Sequence, residues 1–368
     1  MASTVTINDI ARLAGVSKTT VSRVINQKPD VDPDTRTRIL RIMDEQGFVP
    51  SITAAGLAGG RTRLIGVLVP SITWPLMPQI MRGIGEIIEQ STYELVVYSI
   101  QEPQNSISHE QDRSAVIDRI LAAKLTEGLL AVYPGHATTY LNELHASGFP
   151  VVMLDDQVIP TGTTPWVGAD NRTGAHIAVK HLLQLGHRRI GHIKGRIGYE
   201  CSEDRFRGYC DALAEAGLVP DPELVVQGDF LVTGGVACAQ QLFALHERPT
   251  AIFAASDDMA SGVLVAAEEA GLRVPEDVAL VGFDDAAPAA FMRPQLTTVG
   301  QPFFEMGKRA TALLLDAVNA QRQPAPSWHT AQRECAPIRE FLPTRLVVRE
   351  SCGAARRATA RVLARTSQ

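Results

Sequence analysis

Apolar residues recur along this chain with two different periods. From Leu64 onward they fall in short runs of strand length: LIGVLV (64–69), ELVVY (94–98), GLLAVY (128–133) and VVML (151–154), then RIGHI (189–193), ELVVQGD (223–229), AIFAAS (251–256) and DVALVGF (277–283). Helical stretches separate consecutive runs, the alternation expected of a parallel sheet covered by helices on both faces. Two sets of similar length predict two similar lobes, each a doubly wound parallel α/β sheet. In such sheets ligands sit beyond the carboxyl ends of the strands. Pro70-Ser71, Asp155-Asp156, Ser256-Asp257 and Asp284-Asp285 are therefore expected to converge on a cleft between the lobes.

The first 50 residues carry a helical period instead. Ile7, Ile10 and Ala11 share one face, Val21 and Val24 another, and Ile39, Leu40 and Met43 a third. The punctuation agrees. Thr6 with Asp9 makes a near capping box, Gly15 stands where a helix ends in a left-handed residue, and Ser17 is an N-cap. Asp32, followed by Pro33 at the first helical position, opens a third helix that ends at Gly47. Small Ala11 lets the first two helices cross closely, as a helix-turn-helix must to push its second helix into a DNA major groove. The outward face of that second helix, with Lys18, Thr19, Thr20, Ser22 and Arg23, is polar and rich in donors. An ordinary αα-hairpin within a larger core is the alternative. Phe48-Val49-Pro50 and SITAAGLAGGRTR then read as a linker, in which Ile52, Ala54, Ala55 and Leu57 have the spacing of one or two helical turns. Gly56 weakens such turns by about 1 kcal/mol relative to alanine.

Composition narrows the picture. A chain of 368 residues, 45% hydrophobic and 20% charged, implies two or three globular domains with ample core. The net charge of −5 favours no class of partner. Within residues 1–62, eight Lys and Arg (12, 18, 23, 28, 36, 38, 41, 61) face six acids (9, 30, 32, 34, 44, 45), so bulk charge does not announce a nucleic-acid binder. Five scattered cysteines (201, 210, 238, 335, 352) without CxxC spacing suit a reduced compartment and indicate neither a disulfide framework nor a zinc finger. No apolar leader precedes the first helix, and the expected location is the cytoplasm, at the nucleoid. His176, His181, His187 and His192 recur at five- and six-residue spacing rather than the i, i+4 of a helical metal pair, so no metal is expected. No GxSxG, GxxxxGK[ST] or HExxH occurs, and Asp284-Asp285 has no partner carboxylate placed by the sequence. An enzyme is not expected, nor any cofactor.

The blocks DIARLAGVSKTTVSRVIN, VDPDTRTRIL, GFVP and RTRLIGVLVPSITWP, then VGADNRTGAHIAVKHLLQLGHRRIGHIKG, DRFRGY, AASDDMASG, LVGFDD and LTTVGQP, occur in one order over nearly the whole chain. In these the chain resembles the lactose/purine repressor family of bacterial transcription regulators. The resemblance implies a helix-turn-helix domain at 1–50, a hinge at 51–62 and a core like a periplasmic sugar-binding protein at 63–350. The lobes implied are 63–163 with 294–327 and 164–293 with 328–350. It also implies a homodimer that reads a palindromic operator and answers to a small sugar. The final stretch, 351–368, lacks the leucine heptads of a tetramer-forming coil and reads as a mobile tail.

Roles carry over position by position. Lys18, Thr19 and Arg23 resemble base readers, and Thr6, Ser17, Thr20, Ser22, Asn26 and Thr35 phosphate contacts. Leu57, with Ala54 beside it, matches the hinge segment that wedges into the minor groove, although Ser51, Ala55 and Gly56 depart from the usual hinge pattern. In the cleft, Arg205 resembles the arginine that holds the effector, with Asp155 and Asp284 as carboxylate partners; a salt bridge between lobes is the other reading of Arg205 and Asp284. Asp257 is either a pocket acid or a helix cap. Ser256 stands where many relatives have asparagine. Trp74 is positioned either to stack on a sugar ring or to cover a strand, and Ser71 and Phe303 complete the expected lining.

Overall fold

The computed structural model describes residues 5–25, 28–48, 62–100, 125–155, 162–321 and 338–354. Asn26, Ala54, Leu57 and nearly all of the expected hinge lie outside the described residues.

The N-terminal unit has three helices, α1 (Ile7–Ala14), α2 (Lys18–Ile25) and α3 (Pro33–Glu45). Their starts and stops are those the sequence specifies. Thr6 and Asp9 form a complete capping box, Gly15 adopts φ 64° at the end of α1, and Asp32 caps α3 by accepting from the Thr35 amide. The shared core is Ile10, Ala11, Ala14, Val21, Val24, Val31, Ile39 and Ile42. Leu40, expected inside, is 49% exposed. Ile42 takes its place, because a helix buries positions three apart before it buries adjacent ones.

The remainder builds two six-stranded sheets of the same design. The first contains β1 (Leu64–Val69), β2 (Glu94–Ser99), β3 (Gly128–Val132), β4 (Val151–Leu154), β5 (Trp166–Ala169) and β11 (Arg339–Leu342), in the order β11-β5-β4-β3-β1-β2. The second contains β6 (Ile190–Lys194), β7 (Val225–Gln227), β8 (Ala251–Ala254), β9 (Ala279–Asp284), β10 (Thr297–Gly300) and β12 (Arg345–Val347), in the order β12-β10-β9-β8-β6-β7. All neighbours are parallel except β10 with β12. Each sheet reverses its strand order beside its first strand, and ligand crevices open at such switch points.

Helices α4 (Met77–Glu89), α5 (Thr138–Ala146) and α10 (Phe303–Ala320) accompany the first sheet; α6 (Asn171–Gln184), α7 (Glu200–Glu215), α8 (Val232–Phe243) and α9 (Asp257–Glu269) accompany the second. The helices α4 and α10 cross at backbone contact. A Cβ on Gly83 would lie 2.0 Å from the Phe304 carbonyl oxygen, and one on Gly307 2.4 Å from that of Ile80. Among the described residues no helix is long and apolar enough to cross a membrane.

The lobe boundaries differ from those expected. β5 belongs to the first sheet although 164 onward was assigned to the second lobe, β10 belongs to the second although 294–327 was assigned to the first, and β11 joins the first sheet rather than the second. The chain thus changes lobes after β5, after β10 and between β11 and β12. An apolar run signals a buried strand but not the sheet it joins, which only pairing partners decide. Nor does a mobile tail begin at 351: Ser351 and Cys352 are buried, and the Ser351 hydroxyl donates to the Leu280 carbonyl at 2.7 Å while accepting from the Thr297 amide at 2.8 Å.

Candidate functional site

Two separate surfaces carry the candidate chemistry. The first is the start of α2. Ser17 accepts from the Thr20 amide at 3.1 Å, and the two hydroxyls lie 2.9 Å apart, so both side chains serve first to open the helix. Thr6 is likewise engaged with Asp9, its hydroxyl donating at 2.7 Å. Lys18, Thr19 and Arg23 are exposed on the outward face of α2, Ser22 and Thr35 are half-buried, and Val21 and Val24 anchor the helix from behind. Arg23 makes an ion pair with Asp30, Nη1 to Oδ2 at 2.9 Å.

The second surface lies at the carboxyl ends of the strands. Asp155 follows β4 and is 3% exposed; it accepts from the Tyr133 hydroxyl at 2.7 Å. Tyr133 follows β3 and meets the Trp74 ring edge-to-face, centroids 4.6 Å apart. From the second lobe, buried Arg205 on α7 donates from Nε to Asn171 Oδ1 at 2.9 Å and from Nη1 to the Ala255 carbonyl. Its guanidinium stacks over the Phe283 ring, 3.8 Å from the centroid. Asp284, at the end of β9, lies 3.7 Å from Arg205 and accepts from Gln301 Nε2 at 2.7 Å. Because Arg205 and Asp284 both belong to the second lobe, their pair is not a bridge between lobes.

Burial and charge shift the titration of several groups at these strand ends. Burial pushes the Cys201 thiol up to about 12, with Asp155 and Asp284 raising it and Arg205 opposing them. Burial, then Asp155, also holds the Tyr133 hydroxyl well above its usual range. Asp284 is pushed up to about 6 by burial, against the pull of Arg205 and of the Gln301 hydrogen bond. Backbone strain gathers here as well. Tyr133, Asp155, Asp284 and Asp285 all have positive φ (48°, 49°, 122° and 54°), a conformation that non-glycine residues hold only where surrounding structure enforces it.

Other expected lining residues have structural duties. Asp257 is 1% exposed and engaged at both oxygens: Oδ1 accepts from the Thr298 hydroxyl at 2.6 Å and Oδ2 from the Ala286 amide at 2.8 Å, tying α9 to β10 and to the turn that follows β9. Ser256 caps α9 by accepting from the Met259 amide at 3.2 Å. Phe303 is fully buried in the core of the first lobe and is not a cleft wall, because α10 begins there and turns it inward. Ser71 holds the turn after β1 through Thr73, its Oγ 2.8 Å from Oγ1. Trp74 is half-buried, packed on the first core with one edge on Tyr133, so it partly covers the sheet beneath it.

Residues 6–51 match the family described as bacterial regulatory proteins, lacI family, and residues 179–352 match the periplasmic binding protein-like domain. Catabolite control protein A of Priestia megaterium is 33% identical over 318 residues, 86% of this chain and 93% of the relative. The chain belongs to the lacI family. A second relative within it, the HTH-type transcriptional repressor PurR of Pectobacterium carotovorum, is 34% identical over 87% of this chain and 92% of its own length. Among solved structures, the lac repressor dimer bound to operator and the anti-inducer ONPF superposes with a TM-score of 0.79 at 29% identity, over 95% of this chain and 99% of that one. The complex of the regulator CelR with cellobiose gives 0.67 at 32% identity, over 94% and 99%.

As a lacI-family member the chain is a DNA-binding transcription regulator, not an enzyme. Sequence reasoning missed Tyr133, Asn171, Phe283 and Gln301, which orient the cleft's charged groups. Asn171, Phe283 and Gln301 carried a signal only as members of the blocks VGADNRTG, LVGFDD and LTTVGQP, and Asn171 also as the residue after the cap of α6.

Proposed function

We propose that this chain represses transcription as a homodimer on a palindromic operator and is switched by a neutral sugar bound between the lobes. The observation that carries the ligand class is the placement of buried Asp155 after β4 and of Arg205 with Asp284 at the end of β9, at the carboxyl ends of the two sheets. Two carboxylates accept from hydroxyls, a guanidinium donates in fixed geometry, and the face of an aromatic ring such as Trp74 suits the C–H face of a sugar. Gln301 Oε1 and Ser202 Oγ, both buried and without a hydrogen-bond partner among the described residues, provide further places for hydroxyls. Two acids against one arginine disfavour an anionic effector. The lac repressor and CelR structures, solved with operator and anti-inducer and with cellobiose respectively, support the same reading.

Lys18, Thr19 and Arg23 would read base edges, with Thr6, Ser17, Thr20, Ser22, Asn26 and Thr35 against phosphates and Leu57 as the hinge wedge. The lac repressor structure, solved as a dimer on its operator, supports assembly as a homodimer. Selection of duplexes from a random library by the full-length protein tests the DNA half. Enrichment of a two-fold symmetric site supports the reading, and absence of any enriched site sinks it.

The raised Asp284 gives the ligand half a pH signature. As a carboxylate above about pH 6 it accepts sugar hydroxyls, and protonation below that removes the acceptor. Sugar affinity is expected to fall several-fold between pH 7 and 5, and Asp284→Asn to bind weakly with no such dependence. The same group acts oppositely on the ligand-free protein. Its folded pKa exceeds the ordinary 3.8, so its contribution to stability rises as pH falls from about 7 towards 4. Calorimetric titration at several pH values checks the first effect, and an affinity flat from pH 7.5 to 5 would contradict it.

A further inference from the structure

The ion pair between Arg23 and Asp30 has no evident structural purpose. Both side chains are about half exposed (54% and 52%), and an exposed pair of this kind contributes little to stability. Asp30 also sets a negative charge beside the outward face of α2, where an approaching duplex presents phosphates.

The backbone around Asp30 is nonetheless fixed from both sides. The Lys28 amide donates to the Arg23 carbonyl at 2.9 Å, closing the end of α2, and the Arg36 guanidinium donates to the Lys28 carbonyl. On the other side Val31 is buried in the three-helix core and Asp32 caps α3. The carboxylate is therefore presented to Arg23 by a held turn. Its closest contact is with Nη1, the nitrogen outside the Nε/Nη2 edge of the guanidinium. That edge carries two parallel donors, the pair able to meet the O6 and N7 acceptors of a guanine.

We propose that Asp30 is a positioning residue for DNA reading: it holds the Arg23 guanidinium so that its Nε/Nη2 edge faces a base and keeps it from swinging to a phosphate. The proposal rests on the reading of α2 as the DNA-contacting helix. An arginine without this tether reaches phosphates on any sequence, which raises non-specific affinity and blurs the preference at one base pair of each half-site.

The test uses full-length wild type, Asp30→Asn, Asp30→Glu and Arg23→Ala, each selected on a random-sequence duplex library. The winning sites are then remeasured at several salt concentrations. Arg23→Ala should lose the preference at one symmetric base-pair position, identifying the position Arg23 reads. At that position Asp30→Asn should narrow a discrimination of roughly 10-fold or more to within about 3-fold, the scale of a single bidentate contact. It should also bind unrelated duplex several-fold more tightly, with a salt slope steeper by about one phosphate contact. Asp30→Glu should keep most of the discrimination, which a purely structural role for the turn would not predict. Unchanged discrimination in Asp30→Asn, with affinity altered equally for all sequences, would show that Asp30 is only a surface charge. Unchanged preferences in Arg23→Ala would instead overturn the reading of Arg23 itself, and the proposal with it.

Discussion

Arg205→Ala is expected to abolish the stabilisation of the protein by its sugar and to lower the stability of the ligand-free core by about 3–5 kcal/mol, the cost of breaking a buried ion pair from one side. Both effects follow from how the arginine is held. It is 4% exposed and engages Asn171, the Ala255 carbonyl, the face of Phe283 and the Asp284 carboxylate. Truncation leaves Asp284 with Gln301 as its hydrogen-bond donor, in a place that already disfavours its charge. The α7 helix would also lose its fastening to the start of α6. Thermal unfolding with and without sugar reads both losses. Arg205→Lys should recover part of the stability through its charge but not the sugar response, because an ammonium lacks the planar fork. DNA binding, carried by the separate core of residues 5–48, should persist at temperatures below the lowered midpoint. A variant that melts like the wild type, or that the same sugar still stabilises, would contradict this account of the cleft.

Gly83→Ala should destabilise the protein and Gly85→Ala should not, although the two lie two residues apart in one helix. At Gly83 the added methyl would sit 2.0 Å from the Phe304 carbonyl oxygen, in contact with backbone that has no rotamer to change. Forcing α4 and α10 apart is expected to cost about 1–3 kcal/mol, the range for overpacking a close crossing. At Gly85 nothing lies within 4 Å, so alanine should be neutral or stabilise by up to about 1 kcal/mol through helix propensity. The Gly83 change should reach the cleft as well. α10 begins just after Gln301, which holds Asp284, so sugar affinity should fall together with stability. Thermal midpoints of the two variants check the pair, and a shift of the same sign in both would show that the crossing is looser than described.

The features that could be read ahead of the structure are those written in local chemistry. Thr6 with Asp9, Gly15, Ser17 and Asp32 with Pro33 each act through neighbours within four residues, so the sequence alone places the helix ends. The apolar runs place the strands for the same reason. The sheet that β5, β10 or β11 joins depends on residues far along the chain, and no local pattern encodes it. The cleft divides in the same way. Asp257 and Asp284 are both acids at strand ends, and in sequence they look alike. Only tertiary partners separate them: Thr298 and the Ala286 amide consume Asp257, while Asp284 keeps a loose pair with Arg205. Tyr133 and Gln301 matter because of what stands opposite them, and the direction of α10 turns Phe303 into the core and away from the cleft.

The central claim is that one molecule couples a sugar cleft to a DNA-reading surface, and thermodynamic linkage tests it directly. Operator affinity should be measured with and without saturating sugar, and sugar affinity with and without saturating duplex, at one pH and one salt concentration. If the sites are coupled, the two ratios must be equal and different from one, with a coupling factor in the range of roughly 5- to 150-fold. A sugar that binds the cleft with the same affinity whether or not operator is present would contradict the account.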